Sequence, residues 1–266
     1  MRALCGCLGY SRQGYYRRLA LEAKRQAQAD VVLRQVREIR LEQPEVGGRK
    51  LYRMIRPTGY GRDRFFRLLR EECLLIKPRR SFRRTTWAGP KRFRNLTKDL
   101  VVRRVGELMV SDITYLETEQ GFCYLFLTTD YHSRKIVGYA LRRDLTSQGN
   151  MDATTMAFGS VPAGGIHHSD RGWQYSAEPF RRLLQAHAVH SSMTEEDHVY
   201  ENAVAERING ILKYELGLRY RFASFTDALK AVQHAVRIYN DKRLHVSLDY
   251  KTPSQVFSES VNYFRT

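Results

Sequence analysis

Apolar positions recur along this chain with two different periods, and the change from one to the other divides it. The early pattern is helical. Leu8-Gly-Tyr-Ser-Arg-Gln-Gly-Tyr-Tyr-Arg-Arg-Leu19 suggests a short helix between Cys5 and about Ala29, with Ser11 as its cap, because a serine before a helical run accepts a bond from an unpaired amide. A second helix, about Asp30 to Glu42, carries Val32, Val36 and Ile39 at helical spacing and stops before Pro44. Two further short helical runs, Gly47 to Ile55 and Arg62 to Glu72, flank the glycines at 59 and 61, in the shape of a helix-turn-helix. Near Val101 the pattern changes to closely spaced strands. Glu107 to Glu117, Phe122 to Asp130 and Lys135 to Leu141 read as an antiparallel meander broken by short turns. Helices and strands then alternate: a helix from Thr146 to Phe158 that Gly149 interrupts, a strand from Gly165 to Ser169, a helix from Ala177 to Ala188 and a strand from Val189 to Met193. Helices follow at Tyr200 to Leu216 and Phe225 to Asn240, then an irregular tail containing Thr252-Pro253. The layout predicts an α/β unit, a mixed five-stranded sheet flanked by helices, preceded by a small all-α region.

Charge sharpens that division. The 266 residues carry a formal net charge of +17; residues 1–99 hold 26 Lys plus Arg against 9 Asp plus Glu, and residues 100–266 hold 19 of each, so the whole excess lies in the first part. A basic segment joined to a neutral domain suggests that one part grips a polyanion while the other acts on it. Within the helix-turn-helix-like region Arg49, Lys50, Arg62, Arg64 and Arg67 are the candidate DNA contacts, although a small bundle with a basic outer face has the same pattern. Residues 77–98 are basic and free of acids, with Phe82, Trp87 and Phe93 interleaved, and Arg79, Arg80, Arg83 and Arg84 are candidate phosphate contacts. This stretch reads as an extended linker that would order on a phosphate backbone, its aromatics either stacking on exposed bases or, more simply, pinning it to the next domain. Expected boundaries are 1–76 for the helical region, 77–100 for the linker, 101–257 for the catalytic core and 258–266 for a tail.

Composition also excludes some classes. No apolar run approaches the roughly 18 residues of a membrane span, and the first residues are too short for a signal peptide, so a cytoplasmic protein is expected. The four scattered cysteines, Cys5, Cys7, Cys73 and Cys123, read as reduced thiols, and the His187 and His190 pair as ordinary residues between a helix and a strand.

Three acids stand in distinctive surroundings: Asp112 in Val-Ser-Asp-Ile-Thr-Tyr, Asp170 in His-His-Ser-Asp-Arg-Gly, and Glu206 in Asn-Ala-Val-Ala-Glu-Arg. On a helix Asn202, Glu206, Asn209 and Lys213 share one stripe, and Val204, Ala205, Ile208, Ile211 and Leu212 another. Taken singly, each acid is more simply a strand-end, turn or surface residue. With Leu-Lys-x-Glu and Tyr-Asn-x-x-Arg-x-His added, the ordered set resembles the DDE transposases, more narrowly the second-frame product of insertion sequences of the IS-three family, relatives of retroviral integrase. The likeness runs from about Leu4 to Phe257.

That resemblance implies a ribonuclease H-like integrase core in which the first and fourth strands are neighbours, bringing Asp112 beside Asp170. Neighbouring carboxylates repel unless a cation separates them, and hard divalent ions prefer oxygen ligands. The expected cofactor is a pair of Mg²⁺ ions, with Mn²⁺ able to substitute, held by Asp112, Asp170 and Glu206 as catalytic and metal ligands. Two such ions activate a nucleophile and stabilise the leaving oxygen of an in-line phosphoryl displacement.

The expected activity is metal-dependent cleavage and strand transfer at insertion-sequence ends, with a nuclease lacking strand transfer or an inactive DNA-binding regulator as alternatives. Lys213 is expected to contact DNA phosphate. Arg243 is expected to have a structural or phosphate-contacting role, Asn202 to orient Glu206 or cap its helix, and His168 to position the loop around Asp170. Expected partners are DNA (terminal repeats and target), the upstream-frame product as a frameshift fusion, and further copies of the chain on DNA, with no membrane and association with the bacterial nucleoid when bound. The chain departs from the family pattern in lacking a tryptophan shortly before Asp112, in carrying Glu196 and Glu201 ahead of the third motif, and in Gly149 and Gly159, which are expected to weaken their helix.

Overall fold

The computed structural model describes residue 9 and residues 11–76, 92–195 and 202–262. The chain divides into two compact units, Met1–Arg79 and Arg80–Thr266. Cys5, Cys7, Glu196, Glu201 and the candidate contacts Arg79, Arg80, Arg83 and Arg84 lie outside the described residues, as do Phe82 and Trp87.

In the helical unit, Arg12–Glu42 forms one continuous helix, α1, where two were expected. Ser11 caps it as anticipated, its Oγ accepting the Gly14 amide at 3.0 Å. No glycine or proline occurs between Tyr15 and Gln43 to break the ladder. Asp30, expected at a helix start, instead accepts a bond from Gln26 one turn earlier at 3.0 Å. Helices α2 (Gly48–Ile55) and α3 (Arg62–Glu71) follow. Their core is Val32, Val36, Val46, Leu51, Tyr60, Phe65 and Leu69. Gly48 lets α2 approach α3 closely, since a Cβ there would lie 2.9 Å from the Phe66 ring.

The second unit is built on the strands β1 (Leu108–Thr118), β2 (Gly121–Asp130), β3 (Ile136–Arg142), β4 (Ile166–Ser169) and β5 (His190–Met193). Their order in the sheet is β3-β2-β1-β4-β5. The first three are antiparallel and β4 and β5 run parallel to β1 and to each other, the mixed sheet expected of a ribonuclease H-like core. Alternation sends Leu116, Leu125 and Leu127 to one face, where they meet α8 (Phe225–Asp241) through Val232, Ala235 and Tyr239. Met109 and Val137 point to the other face, against α4 (Ser147–Phe158) and α6 (Glu178–Ala186), with Phe180 and Leu184 at the centre. A short helix not anticipated from the sequence, α5 (Trp173–Ser176), precedes α6.

Two expectations are corrected here. Gly149 does not interrupt α4: a Cβ at that position would stand 2.3 Å from the Phe126 ring, so the glycine lets the helix lie on the sheet. Its intrinsic cost to a helix, about 1 kcal/mol, is offset by that packing. The segment after Thr252 is not irregular, for α9 spans Pro253–Asn262. Thr252 and Gln255 form a reciprocal cap, the Thr252 amide donating to Oε1 at 2.8 Å and the Gln255 amide to Oγ1 at 3.3 Å, with proline at the first helical position.

The last part of the expected linker is seated on this unit. The Leu96 amide donates to Ser192 Oγ at 2.9 Å, Lys98 pairs with Glu195 at 2.7 Å, and Phe93 packs on the hydrophobic core. Among the described residues Cys73 and Cys123 are free thiols, and no helix is long and apolar enough to cross a membrane.

Candidate active site

The three acids come from three different elements of the sheet unit. Asp112 is in the middle of β1; Asp170 directly follows β4. Because Ser111 is paired with Ser169 in parallel register, the two aspartates emerge one residue later from adjacent strands. Glu206 lies in the first turn of α7 (Ala203–Gly210).

Helix α7 is tied to β1 by two asparagines. Asn202 Nδ2 donates to the Ser111 carbonyl at 3.1 Å, and Asn209 Nδ2 donates to Asp112 Oδ2 at 2.7 Å. Glu206 lies between them on the same stripe. Asn202 occupies the cap position, but its side chain makes no cap bond, so of the two roles expected for it the capping one is replaced by this anchor. The bond from Asn209 was not anticipated, although its place one turn after Glu206 was visible in the periodicity.

The surroundings of Asp112 differ from those of a structural acid. Buried Asp130 accepts three bonds, from the Gly106 amide at 2.9 Å and from the Ser133 amide and hydroxyl at 2.8 and 2.6 Å. Burial pushes its carboxyl up, and these donors work against that. Asp112 accepts the Ile113 amide on Oδ1 at 2.9 Å as well as Asn209, yet it faces two other acids. Burial and the charge of Asp170 push its carboxyl up to about 7, Asn209 and Ile113 pull it down, and Glu206 adds to the rise. Glu206 is likewise raised, by burial and then by Asp170. The three carboxylates are thus within electrostatic reach of one another. Among the described residues no three acidic, thiol or imidazole groups stand at the spacing of a ready-made metal cage. The donor set is nevertheless all oxygen and mutually repelling, which is the chemistry that a hard divalent ion relieves.

Asp170 is held by its own loop. Its Oδ1 accepts the Gly172 amide at 3.0 Å, and a Cβ on Gly172 would lie 3.1 Å from that oxygen, 2.9 Å from Gln174 and 3.3 Å from the Tyr175 ring. A side chain at this position would crowd the Asp170 carboxylate and the Gln174 side chain. Tyr175 is buried there, and desolvation, then Asp170 and Asp112, hold its phenol well above the ordinary range. His168, fully buried, meets Ser192 Oγ at 2.9 Å and so joins β4 to β5. His167 meets Ser111 Oγ at 2.8 Å and joins β4 to β1. Burial, assisted by His168, depresses the His167 imidazole to about 3.

After Gly210 the helix widens into a π turn, Ile211–Glu215, where a continuous α-helix was expected. Lys213 lies within this turn. Its ammonium lies 4.3 Å from the centre of the Tyr115 ring. Burial lowers the lysine and the charge of Asp112 raises it. Arg243 is only 3% exposed and is gripped by Glu215, with Nε to Oε2 and Nη2 to Oε1 both at 2.9 Å, while Nη1 meets His245 at 2.9 Å. Of its two expected roles the structural one is observed. As a DNA contact Arg243 is corrected, because its donors are turned inward and occupied.

In the helical unit Arg49 and Arg67 are exposed, Lys50 is half-buried, and exposed Arg62 pairs with Asp63 at 3.3 Å. Arg64 stacks over Tyr60 at 4.0 Å.

Comparison with known proteins finds relatives over most of the chain. Two models described as "Integrase core domain" match residues 102–198 and 187–253. The chain is 33% identical over 262 residues to the insertion element IS600 uncharacterized 31 kDa protein of Shigella sonnei, covering 94% of this chain and 96% of that protein. It is 27% identical to transposase InsF for insertion sequence IS3A of Escherichia coli strain K12, over 81% of this chain and 78% of that one. The magnesium complex of the HTLV-2 integrase catalytic core domain, in its trimeric form, aligns with 57% of this chain and 95% of its own at 17% identity and a TM-score of 0.45. The chain belongs to the insertion-sequence transposases built on an integrase core domain.

Proposed function

We propose that this transposase cuts and joins phosphodiesters at the ends of its element, with Asp112, Asp170 and Glu206 as the ligands of divalent cations. The observation that carries this reading is the mutual coupling of three carboxylates from β1, the end of β4 and α7, with Asp112 raised to about 7 by burial and by its acidic neighbours. Bound there, Mg²⁺ or Mn²⁺ would neutralise the acids and act as a Lewis acid on the scissile phosphate.

The remaining work belongs to the chain's own residues. Asn209 and the Ile113 amide hold the Asp112 carboxylate in one orientation, and the Gly172 amide holds Asp170. Lys213, beside Asp112, offers an ammonium to the DNA backbone. In cleavage, water attacks phosphorus and the strand departs as a 3′ hydroxyl; in joining, that hydroxyl attacks a second phosphodiester and expels another 3′ oxygen. Both are in-line displacements with no covalent enzyme intermediate. The basic helical unit and the basic stretch that follows it grip DNA, several copies assemble on it, and an upstream-frame product fused by frameshifting completes recognition of the ends.

The test incubates the full chain, alone and fused to its upstream-frame product, with labelled element ends and Mg²⁺ or Mn²⁺. Cleavage and transfer products are expected from the native protein and not from Asp112→Asn, Asp170→Asn or Glu206→Gln. Cleavage without transfer from pre-nicked ends would leave a nuclease. Products unchanged by all three substitutions would overturn the reading.

A further inference from the structure

Among the described residues, one face of the sheet is covered only in part. Helix α4 begins at Ser147, and its third residue, Gly149, already rests on the Phe126 ring. The strands run on past this point toward the β1–β2 turn. By alternation and register, Tyr124, Tyr115 opposite it and Phe122 diagonal to it share the Phe126 face. Tyr115 and Phe122 are 47% and 58% exposed, with their rings edge to face at 5.6 Å. A lone exposed aromatic is unremarkable, but adjoining rings at the edge of a sheet mark a surface for contact.

Cations rim these rings. Arg221 stands 3.8 Å from Glu117, the residue paired with Phe122. Lys213 reaches the Tyr115 ring from the other face. It does so along a stretch of β1 that no described strand covers, because β4 pairs only as far as Ser111 and the isolated bridge to Phe222 resumes at Thr118. One edge of β1 therefore links the carboxylate Asp112 to the aromatic pair by way of a single ammonium.

Resting on the function proposed above, we propose that Tyr115 and Phe122 form a stacking platform for an unpaired base of the DNA strand held at the acids. Bases stack on aromatic rings whatever their sequence, and cations alongside hold the backbone. A base inside a duplex has both faces covered, so the occupant is a nucleotide freed from pairing at a DNA end. Tyr115 stands between Lys213 and Phe122, so a phosphate at the ammonium and a base on the Phe122 ring belong to the same or adjoining nucleotides.

The test uses the full chain and labelled DNA ends, either blunt or carrying a short unpaired end with 2-aminopurine. Native protein is expected to quench the probe and to prefer unpaired ends. Phe122→Leu, a change at an exposed site, should lose the quenching and roughly ten-fold in affinity for unpaired ends while binding blunt ends as before. Phe122→Trp and Tyr115→Phe, which keep a ring, should retain both. Quenching that survives Phe122→Leu, or an equal loss on both kinds of end, overturns the platform. So does a loss of self-association with base binding intact, which would make the patch a contact between copies. Asp112→Asn should abolish cleavage and leave quenching in place, so a failure of the platform is distinguishable from a failure of the catalytic reading.

Discussion

The candidate DNA-contacting cations singled out in the two units are handled in opposite ways. In the helical unit Arg49 and Arg67 stand in water and Arg62 has only an exposed acidic neighbour. In the sheet unit Arg243 is withdrawn from solvent onto Glu215 and His245, and Lys213 is partly desolvated over Tyr115. Exposed charge costs little to keep and acts on a polyanion over a distance that salt limits. Buried charge must be satisfied locally, and in return it fixes the elements that carry it. The first arrangement suits gripping DNA of any sequence, and the second holds α7 and its π turn against β1, where the acids are.

That contrast breaks most readily at Arg243. Arg243→Ala leaves Glu215 without its bidentate partner, and a loss of about 3–5 kcal/mol in urea unfolding is expected, with Arg243→Lys failing to restore it because a single ammonium does not match the fork. If Arg243→Ala unfolds at the native urea concentration, the pair does not hold the π turn.

A neutral buried group provides a second lever of similar size. With His167 at about 3 in the folded protein and about 6.5 unfolded, the folded state binds fewer protons between those values. Its stabilising contribution is therefore complete above pH 6.5 and is lost as the pH falls toward 3, on the order of 5 kcal/mol in all. Urea midpoints for native protein and His167→Gln, compared from pH 7 down to 4, should converge, and parallel profiles would exclude this assignment.

Smaller effects separate positioning from gripping. Asn209→Ala removes the donor to Asp112, and the metal concentration for half-maximal cleavage should rise about 10- to 100-fold. Smallest are Arg49→Gln and Arg67→Gln: each should weaken DNA binding modestly and reduce the slope of log affinity against log salt by about 0.9. A slope change from Arg243→Lys, or none from the two exposed arginines, would reverse the comparison.

Much of this was legible in residue order. The strands lie within about one residue of where the sequence put them because turn residues bound each run, even though both faces of the sheet pack against helices and β2 is buried without alternation from Leu125 to Asp130. The cap of α9 was also written in the sequence, as Thr252-Pro-Ser-Gln255, and the absence of a hydrophobic run long enough to notice concealed it. Gly149 misled in the other direction. Its intrinsic preference argues against a helix, and only the ring of Phe126, distant along the chain, explains its presence. Lys213 and Arg243 were equally opaque, since a basic residue in a motif reads alike whether it ends in water or under a helix.

The sequence alone determined the order and kind of the strands, the segregation of charge into the first part of the chain, and the three acids with their local surroundings. These are properties of periodicity and composition, and they survive without knowledge of contacts. Tertiary structure decided which of the basic side chains are exposed and which buried, how Asn202 and Asn209 anchor α7 to β1, and that Lys213 rounds a stretch of β1 that no described strand pairs with to reach Tyr115. Such outcomes depend on burial and on partners far away in the chain, and the energy of a charge is set by those surroundings rather than by its neighbours in sequence.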